Sequence, residues 1–266
     1  MSWLGRISEA VISGHSKRSS PRALFATQPV SKPLLTEAVG DAALAERIVV
    51  RVSARARRVC LRLDPWAGGV ILVQPRRMST KAVLAFAAEK RHWIANQLAS
   101  LPPRTEFADG AVISLCGRDH RIRFAPQLRG TVSAIDGEIV ICGRPEHGRR
   151  RLIDWLKAQA RTNITAQARA MAARLDRKVT RVTVRDTISR WGSCTRAGRL
   201  SFSWRLIFAP DTVLTYVVAH EVAHLKHMNH GPAFWRTVDE LLSGAAIAAS
   251  ARHWLRRHGA ILHSYG

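Results

Sequence analysis

From residue 48 onward, short apolar runs alternate with polar residues in the two-residue period of half-buried strands. Residues 48–53, 59–63 and 70–74 predict three strands, and Gly68-Gly69 predicts a hairpin turn between the last two. Ser79 reads as the N-cap of a helix that continues to about Leu101, where Pro102-Pro103 stops it. Residues 112–116 with 120–124 predict another hairpin, as do 131–135 with 138–142 around Asp136-Gly137. The period then changes. Leu152, Leu156, Ala160, Ile164, Ala168, Met171 and Leu175 recur every three or four residues, placing one apolar stripe along a helix from about Arg149 to Leu175. Strands at 180–185 and 199–204 follow, then a helix opening at Pro210-Asp211 with Asp211 as N-cap, and closing helices at 233–243 and 246–258. Residues 1–46 mix Ser, Pro, Ala and Gly without sustained periodicity and read as a mostly disordered tail.

Strands first and helices with a small sheet afterwards argue for an α+β fold. The expected division is an irregular tail over 1–46, a β-rich part with one helix over 47–145, and a catalytic part over 146–266. A chain of 266 residues can bury a sizeable core, and 47% hydrophobic residues is too apolar for a disordered protein. No apolar run approaches the ~18–20 residues of a membrane span, so none is expected. Cys60, Cys116, Cys142 and Cys194 lie far apart with no CxxC pair, which argues against a disulfide scaffold or a zinc knuckle. Reduced thiols and a cytoplasmic location are the expectation. The first twenty residues lack a secretory apolar region, while their Arg and Ser content leaves a transit peptide as an alternative.

Charge changes this picture. The chain carries a net +23, which points to anionic partners. The excess is local: residues 47–104 hold 12 basic and 2 acidic side chains, and residues 144–205 hold 16 and 4. The last sixty residues are nearly balanced. Each block is either a solvated face or a groove for nucleic acid or nucleotides. Trp93, Trp155, Trp191, Trp204, Trp235 and Trp254 fall where a core is expected, and they form no exposed row on which bases could stack.

The chemistry lies in the balanced segment. His220-Glu221-Val222-Ala223-His224 is the H-E-x-x-H arrangement. Residues four apart share one helix face, so both imidazoles can reach one ion. Glu221, one position further round, reaches the metal's water instead. Zinc lowers the pKa of such a water towards ~7, and a carboxylate can then take its proton. His227 and His230 are candidates for the third ligand. His227 lies seven residues, roughly 10 Å of helix, beyond His220. His230 sits before Gly231-Pro232, where the helix ends and the chain can fold back. His230 is favoured, with the fourth position left to water as catalytic zinc sites require.

At these residues the chain resembles the YgjP-like family of zinc metallopeptidases, relatives of the SprT and WLM zincins. The resemblance rests on Arg190-Trp191-Gly192-Ser193-Cys194, residues 206–210, Tyr216 to Glu221, residues 225–230 and Phe234-Trp235. It extends to residues 57–75 and to Lys90-Arg91-His92-Trp93-Ile94, covering roughly 48–263. It implies a zincin-like catalytic domain, one zinc ion on His220, His224 and His230, Glu221 as general base, and a peptide or protein substrate. The family often has Asn where this chain has Ser203, and Ser where it has Gly231. Both are peripheral positions.

Other residues stay open. Arg190 and Ser193 either bind substrate or belong to a turn at Trp191-Gly192. Cys194 is a weaker candidate for a metal ligand. Asp239 and Glu240 either orient a ligand's second nitrogen or face solvent. Tyr216 is more plausible as packing than as an oxyanion donor. A substrate strand could add to an edge formed by 199–204 or by 180–185. Three functions follow: a zinc metallopeptidase, a metal-dependent nucleotide (pyrophosphate) hydrolase, and a nucleic-acid-associated protease. An all-imidazole site and the lack of a Gly-rich phosphate loop disfavour the second.

Overall fold

The computed structural model describes residues 29–64 and 67–266. The chain forms two compact units that divide between Leu101 and Pro102. The possible transit segment and the first 28 residues of the expected tail lie outside the described residues.

The first unit begins inside that expected tail. Helices α1 (Lys32–Val39) and α2 (Ala42–Glu46) precede strand β1 (Ile48–Ser53). Two helices this short show too little periodicity to stand out in the sequence. Leu35 and Val39, four residues apart, are nonetheless buried, which contributes about 1.5–3 kcal/mol each. Gly40 ends α1 at φ +69°, and the Asp41 carboxylate caps α2 by accepting from the Leu44 N–H (3.0 Å). Strands β2 (Cys60–Asp64) and β3 (Gly69–Pro75) form the expected hairpin, with Gly68 at φ +61° in its turn. The sheet order is β1-β3-β2, and β1 runs parallel to β3. Ser79 caps helix α3 (Thr80–Glu89), its hydroxyl accepting from the Ala82 N–H (3.3 Å). The single helix expected to reach Leu101 is instead two. Lys90, at φ −94° and ψ 8°, leaves helical geometry and separates α3 from α4 (Arg91–Ala99). Leu35, Ile48, Leu61, Leu72, Val83 and Ile94 make the core of this unit.

The second unit opens with β4 (Val112–Leu115), β5 (Arg118–Ala125), β6 (Val132–Ile135) and β7 (Glu138–Cys142). Two antiparallel hairpins join through parallel pairing of β5 with β7, in the order β4-β5-β7-β6. Helix α5 (Gly148–Arg174) follows the predicted stripe, burying Leu152, Leu156, Ala160, Ile164, Ala168 and Met171. Ile113, Ile122, Ile139 and Ile141 of this sheet share one core with α5 and with the 3-10 turn Trp204–Phe208. The boundary expected between residues 145 and 146 is therefore absent. The hairpins of 112–142 belong with the catalytic part, because they cover the apolar stripe of α5.

Strands β8 (Arg181–Arg185), β9 (Gly192–Cys194) and β10 (Arg199–Ser203) form a second sheet in the order β8-β10-β9. Trp191-Gly192 leads into a strand here, where a turn was one expectation. Helices α6 (Asp211–Ala223), α7 (Pro232–Leu242) and α8 (Ala245–Leu262) complete the unit, the last extending beyond the predicted end at 258. Asp211 is the first residue of α6 and Pro210 takes the cap position, so Asp211 favours the helix dipole without capping it. Every residue of α6 from Tyr216 to Ala223 is buried, which makes it a central helix with no solvent face over that stretch. The fold is α+β, with mixed sheets. No described helix is long and apolar enough to cross a membrane. All four cysteines are free thiols.

His263, just past α8, is 1% exposed and stacks on Trp191 at 4.7 Å and 24°. Neither ring nitrogen has a partner among the described residues. Burial, reinforced by the Arg205 charge and opposed by Asp186, lowers its pKa to about 4. Its folded pKa thus lies below its unfolded value of about 6.5. The stability it contributes is complete above pH 6.5 and is lost as pH falls towards 4. His263→Leu should flatten the fall in melting temperature between pH 6.5 and 4 relative to wild type. The difference should be on the order of 3 kcal/mol at pH 4; parallel melting-against-pH curves would refute the assignment.

Candidate metal centre

Helix α6 ends within the H-E-x-x-H segment. His220 and Glu221 lie in its last turn and His224 is its C-cap. A turn follows, closed by the Leu225 N–H to Val222 and the His227 N–H to Ala223 (both 2.9 Å). Gly231 then starts α7, with Pro232 at the first helical position where its missing N–H is tolerated. This reversal returns His230 to His220, and their Nε2 atoms face each other at 3.1 Å. One ligand atom from each of His220, His224 and His230 lies within 4.8 Å of the others.

His227 has a different place. Its backbone carbonyl accepts from His224 Nδ1–H (2.9 Å), which leaves His224 Nε2 as the lone-pair nitrogen. Its ring does not join the group. Cys194 is also outside the group. Neither Asp239 nor Glu240 hydrogen-bonds a histidine ring among the described residues.

The residues fit a zinc ion. Ligand nitrogens in a tetrahedral zinc site stand roughly 3.4 Å apart, from Zn–N bonds of 2.0–2.1 Å. The Nε2 atoms of His220 and His230, 3.1 Å apart, stand close to that spacing. Burial, reinforced by the neighbouring histidines, lowers the His220 pKa to about 2, and burial lowers those of His224 and His230. All three are held neutral, the form that ligates a metal. Phe234 packs against all three rings at centroid distances of 4.9, 4.6 and 4.7 Å, and Trp235 lies 5.8 Å from His220 and from His230. These two aromatics wall the cluster. The sequence marks them as a motif but gives no hint of that role. Tyr216 sets its ring edge-on to His220 at 6.1 Å, and burial pushes its phenol pKa up.

Glu221 is 3% exposed and faces strand β9. A Cβ on Gly192 would stand 2.6 Å from Glu221 Cγ and Oε1. Glycine at 192 is therefore what lets the strand approach the carboxyl. Burial raises the Glu221 pKa to about 8 against the opposing charge of Arg190. A divalent cation beside it would favour the carboxylate form. Burial, together with the Glu221 charge, pushes the Cys194 thiol up to about 12, so the thiol stays protonated beside the carboxyl.

Of the two strands expected as a substrate edge, 199–204 is excluded because β10 is paired on both sides, while 180–185 does lie at an edge, as β8; β9, which was not among them, is the other edge. The carbonyl of Trp191 accepts from Ser203 N–H, and Thr195 N–H donates to Arg199 (2.9 and 3.0 Å). Antiparallel alternation therefore turns the backbone N–H and C=O of Gly192 and Cys194 towards the free edge beside Glu221. The same alternation turns the Ser193 side chain to the face opposite Glu221. Arg190, exposed, lies where its charge reaches the carboxyl.

Two variants probe this geometry. Gly192→Ala should lower stability by about 1–3 kcal/mol through overpacking and displace Glu221, while leaving metal loading intact, because no ligand sits on β9. Calorimetry and metal content read both effects, and an unchanged melting temperature would contradict the contact. His230→Ala should lose most bound metal and His227→Ala should retain it. Equal metal content in the two proteins would remove His230 from the ligand set.

The family model for the YgjP-like metallopeptidase domain matches residues 57–258. Comparison with curated proteins and with solved structures returned no match. With three-quarters of its length matched, and with the histidine cluster inside the matched span, the chain belongs to the YgjP-like metallopeptidase family.

Proposed function

We propose that the chain is a zinc-dependent peptidase with a zincin-like centre: His220, His224 and His230 hold the ion, and Glu221 is the general base. The observation that carries this reading is the joint placement of three neutral imidazoles within 4.8 Å and a buried carboxyl one residue from the first of them. When bound, zinc supplies Lewis acidity, polarising a carbonyl and lowering the pKa of water towards ~7. Glu221 accepts a proton at its carboxylate from the attacking water and returns it to the leaving amine nitrogen. Phe234 and Trp235 keep bulk water from the back of the site, which strengthens the charges acting within it. A peptide laid along β9 would pair with the outward backbone groups of Gly192 and Cys194, placing its scissile bond beside Glu221. Arg190 stands near enough to the carboxyl to steer an acidic or C-terminal group of the substrate. Ser193 takes no part through its side chain in this arrangement. The nucleotide-hydrolase alternative gains no support, since no carboxylate joins the three histidines among the described residues.

Zinc analysis of the purified protein should give about one ion per chain, and chelation should abolish peptide cleavage. Glu221→Gln should keep its metal and lose on the order of 10²–10⁴ in turnover, the usual contribution of a general base. Cleavage that survives chelation, or a fully active Glu221→Gln protein, would overturn the reading.

A further inference from the structure

We infer that the Arg181/Arg199 end of the β8-β10-β9 sheet is a docking surface for the phosphate backbone of a nucleic acid. Parallel register places Arg181 directly beside Arg199 on adjacent strands. Neighbouring strands lie about 4.8 Å apart, and like charges directly opposite each other destabilise a sheet. Both side chains are exposed, and neither has an ion-pair partner among the described residues. The pair therefore gives the fold nothing that its own packing uses.

Three further cations are strapped to the same end. Gly198, at φ +71°, closes the turn from β9 to β10, and a Cβ there would stand 2.9 Å from the Lys178 carbonyl. Thr180 donates from its N–H to Gly198 (2.9 Å) and from its hydroxyl to Ala197 (2.8 Å). The Thr195 hydroxyl accepts from the Arg199 N–H (3.2 Å). These bonds hold exposed Arg196 against the segment that carries exposed Arg177 and Lys178. Exposed Asp176 adjoins Arg177; from there to Trp204 the sequence has one further carboxylate, Asp186, at the other end of the sheet, where Arg205 takes it at 2.7 Å.

The chemistry of this surface selects its partner. Four of the five cations are arginines, whose planar forks match phosphate oxygens. Among the described residues no aromatic side chain is one of the exposed large apolar residues, so this surface offers bases no stacking platform, and binding there would be insensitive to sequence. None of those exposed apolar residues lies between 177 and 204, so this surface also lacks the side chains that would insert into a lipid bilayer.

The test is fluorescence anisotropy of the full chain with labelled 20-nucleotide DNA and RNA, single- and double-stranded, across a salt series. Wild type should bind at ~50 mM salt with log K falling linearly in log salt. Arg181→Gln/Arg196→Gln/Arg199→Gln should weaken binding at least tenfold and reduce the single-strand slope by about two, near 0.7 for each phosphate no longer neutralised. An equal charge change elsewhere in the same unit, Arg144→Gln/Arg256→Gln/Arg257→Gln, should leave the slope close to wild type. Removing the Arg181–Arg199 repulsion should not lower the melting temperature, and zinc content should be unchanged. Hydrogen exchange of wild type, which needs no variant, should show protection at 177–181 and 195–199 when nucleic acid is added. No binding at ~50 mM salt, equal losses in the two triple variants, protection elsewhere, or binding to phosphatidylserine vesicles but not to nucleic acid would each overturn the inference.

Discussion

A carboxyl and an imidazole, neighbours on one helix, are buried in the middle of an apolar core, and the second unit is arranged around that fact. Helix α6 is enclosed over two turns, so His220 and Glu221 have no route to bulk water along it. Burying an ionisable group without partners costs several kcal/mol, and the group resolves this by staying neutral or by finding a counter-charge. The imidazoles take the first course, with pKa values held below the ordinary range by burial. Three neutral rings converging on one point form a ligand set that a divalent ion completes. The ion would then supply the counter-charge that Glu221 lacks. Desolvation, metal affinity and carboxylate basicity are thus one coupled property of this helix.

On the side of strand β9 the enclosure of Glu221 is closed by Gly192. A methyl group at that position would overlap the carboxyl, so strand β9 can approach α6 only where a side chain is missing. That approach lays one face of β9 on the carboxyl, while the backbone groups of Gly192 and Cys194 point out along the free edge. The strand continues into Trp191, whose ring stacks on His263, so the position of the edge is fixed from behind by the end of α8. A single glycine therefore links the burial of the carboxyl to the placement of the sheet edge.

Much of this was legible because it is local. The stripe on α5, the turn signals at Gly68-Gly69 and Asp136-Gly137, the Ser79 cap and the i, i+4 histidines each depend on residues a few positions apart. The return of His230 was legible for the same reason: Gly231-Pro232 announces the helix end that permits it. What stayed hidden depends on distant partners. Three parallel pairings, β1 with β3, β5 with β7 and β8 with β10, leave no mark on any one segment. β9 has three residues, one of them glycine, too few for a period, so its place as an edge strand could not be read. The division of the chain was misplaced because an α-helical stripe shows that something covers it without showing what. The hairpins of 112–142 do so, and they draw the boundary back to Pro102.

The basic composition takes on a different meaning once the sheets are drawn. A charge of +23 averaged over a surface would be a diffuse attraction for any polyanion. In the second unit it is focused by register: the parallel pairing that packs Val182 against the core also puts Arg181 and Arg199 next to each other on the other face. Strand alternation thus gives the two faces of one small sheet different surroundings. Its inner face, with Gly192 and Cys194, borders the Glu221 carboxyl. Its outer face and turns carry the cations. A metal site that needs a neutral, desolvated surround and a surface that needs exposed charge can share three strands because successive side chains point to opposite sides.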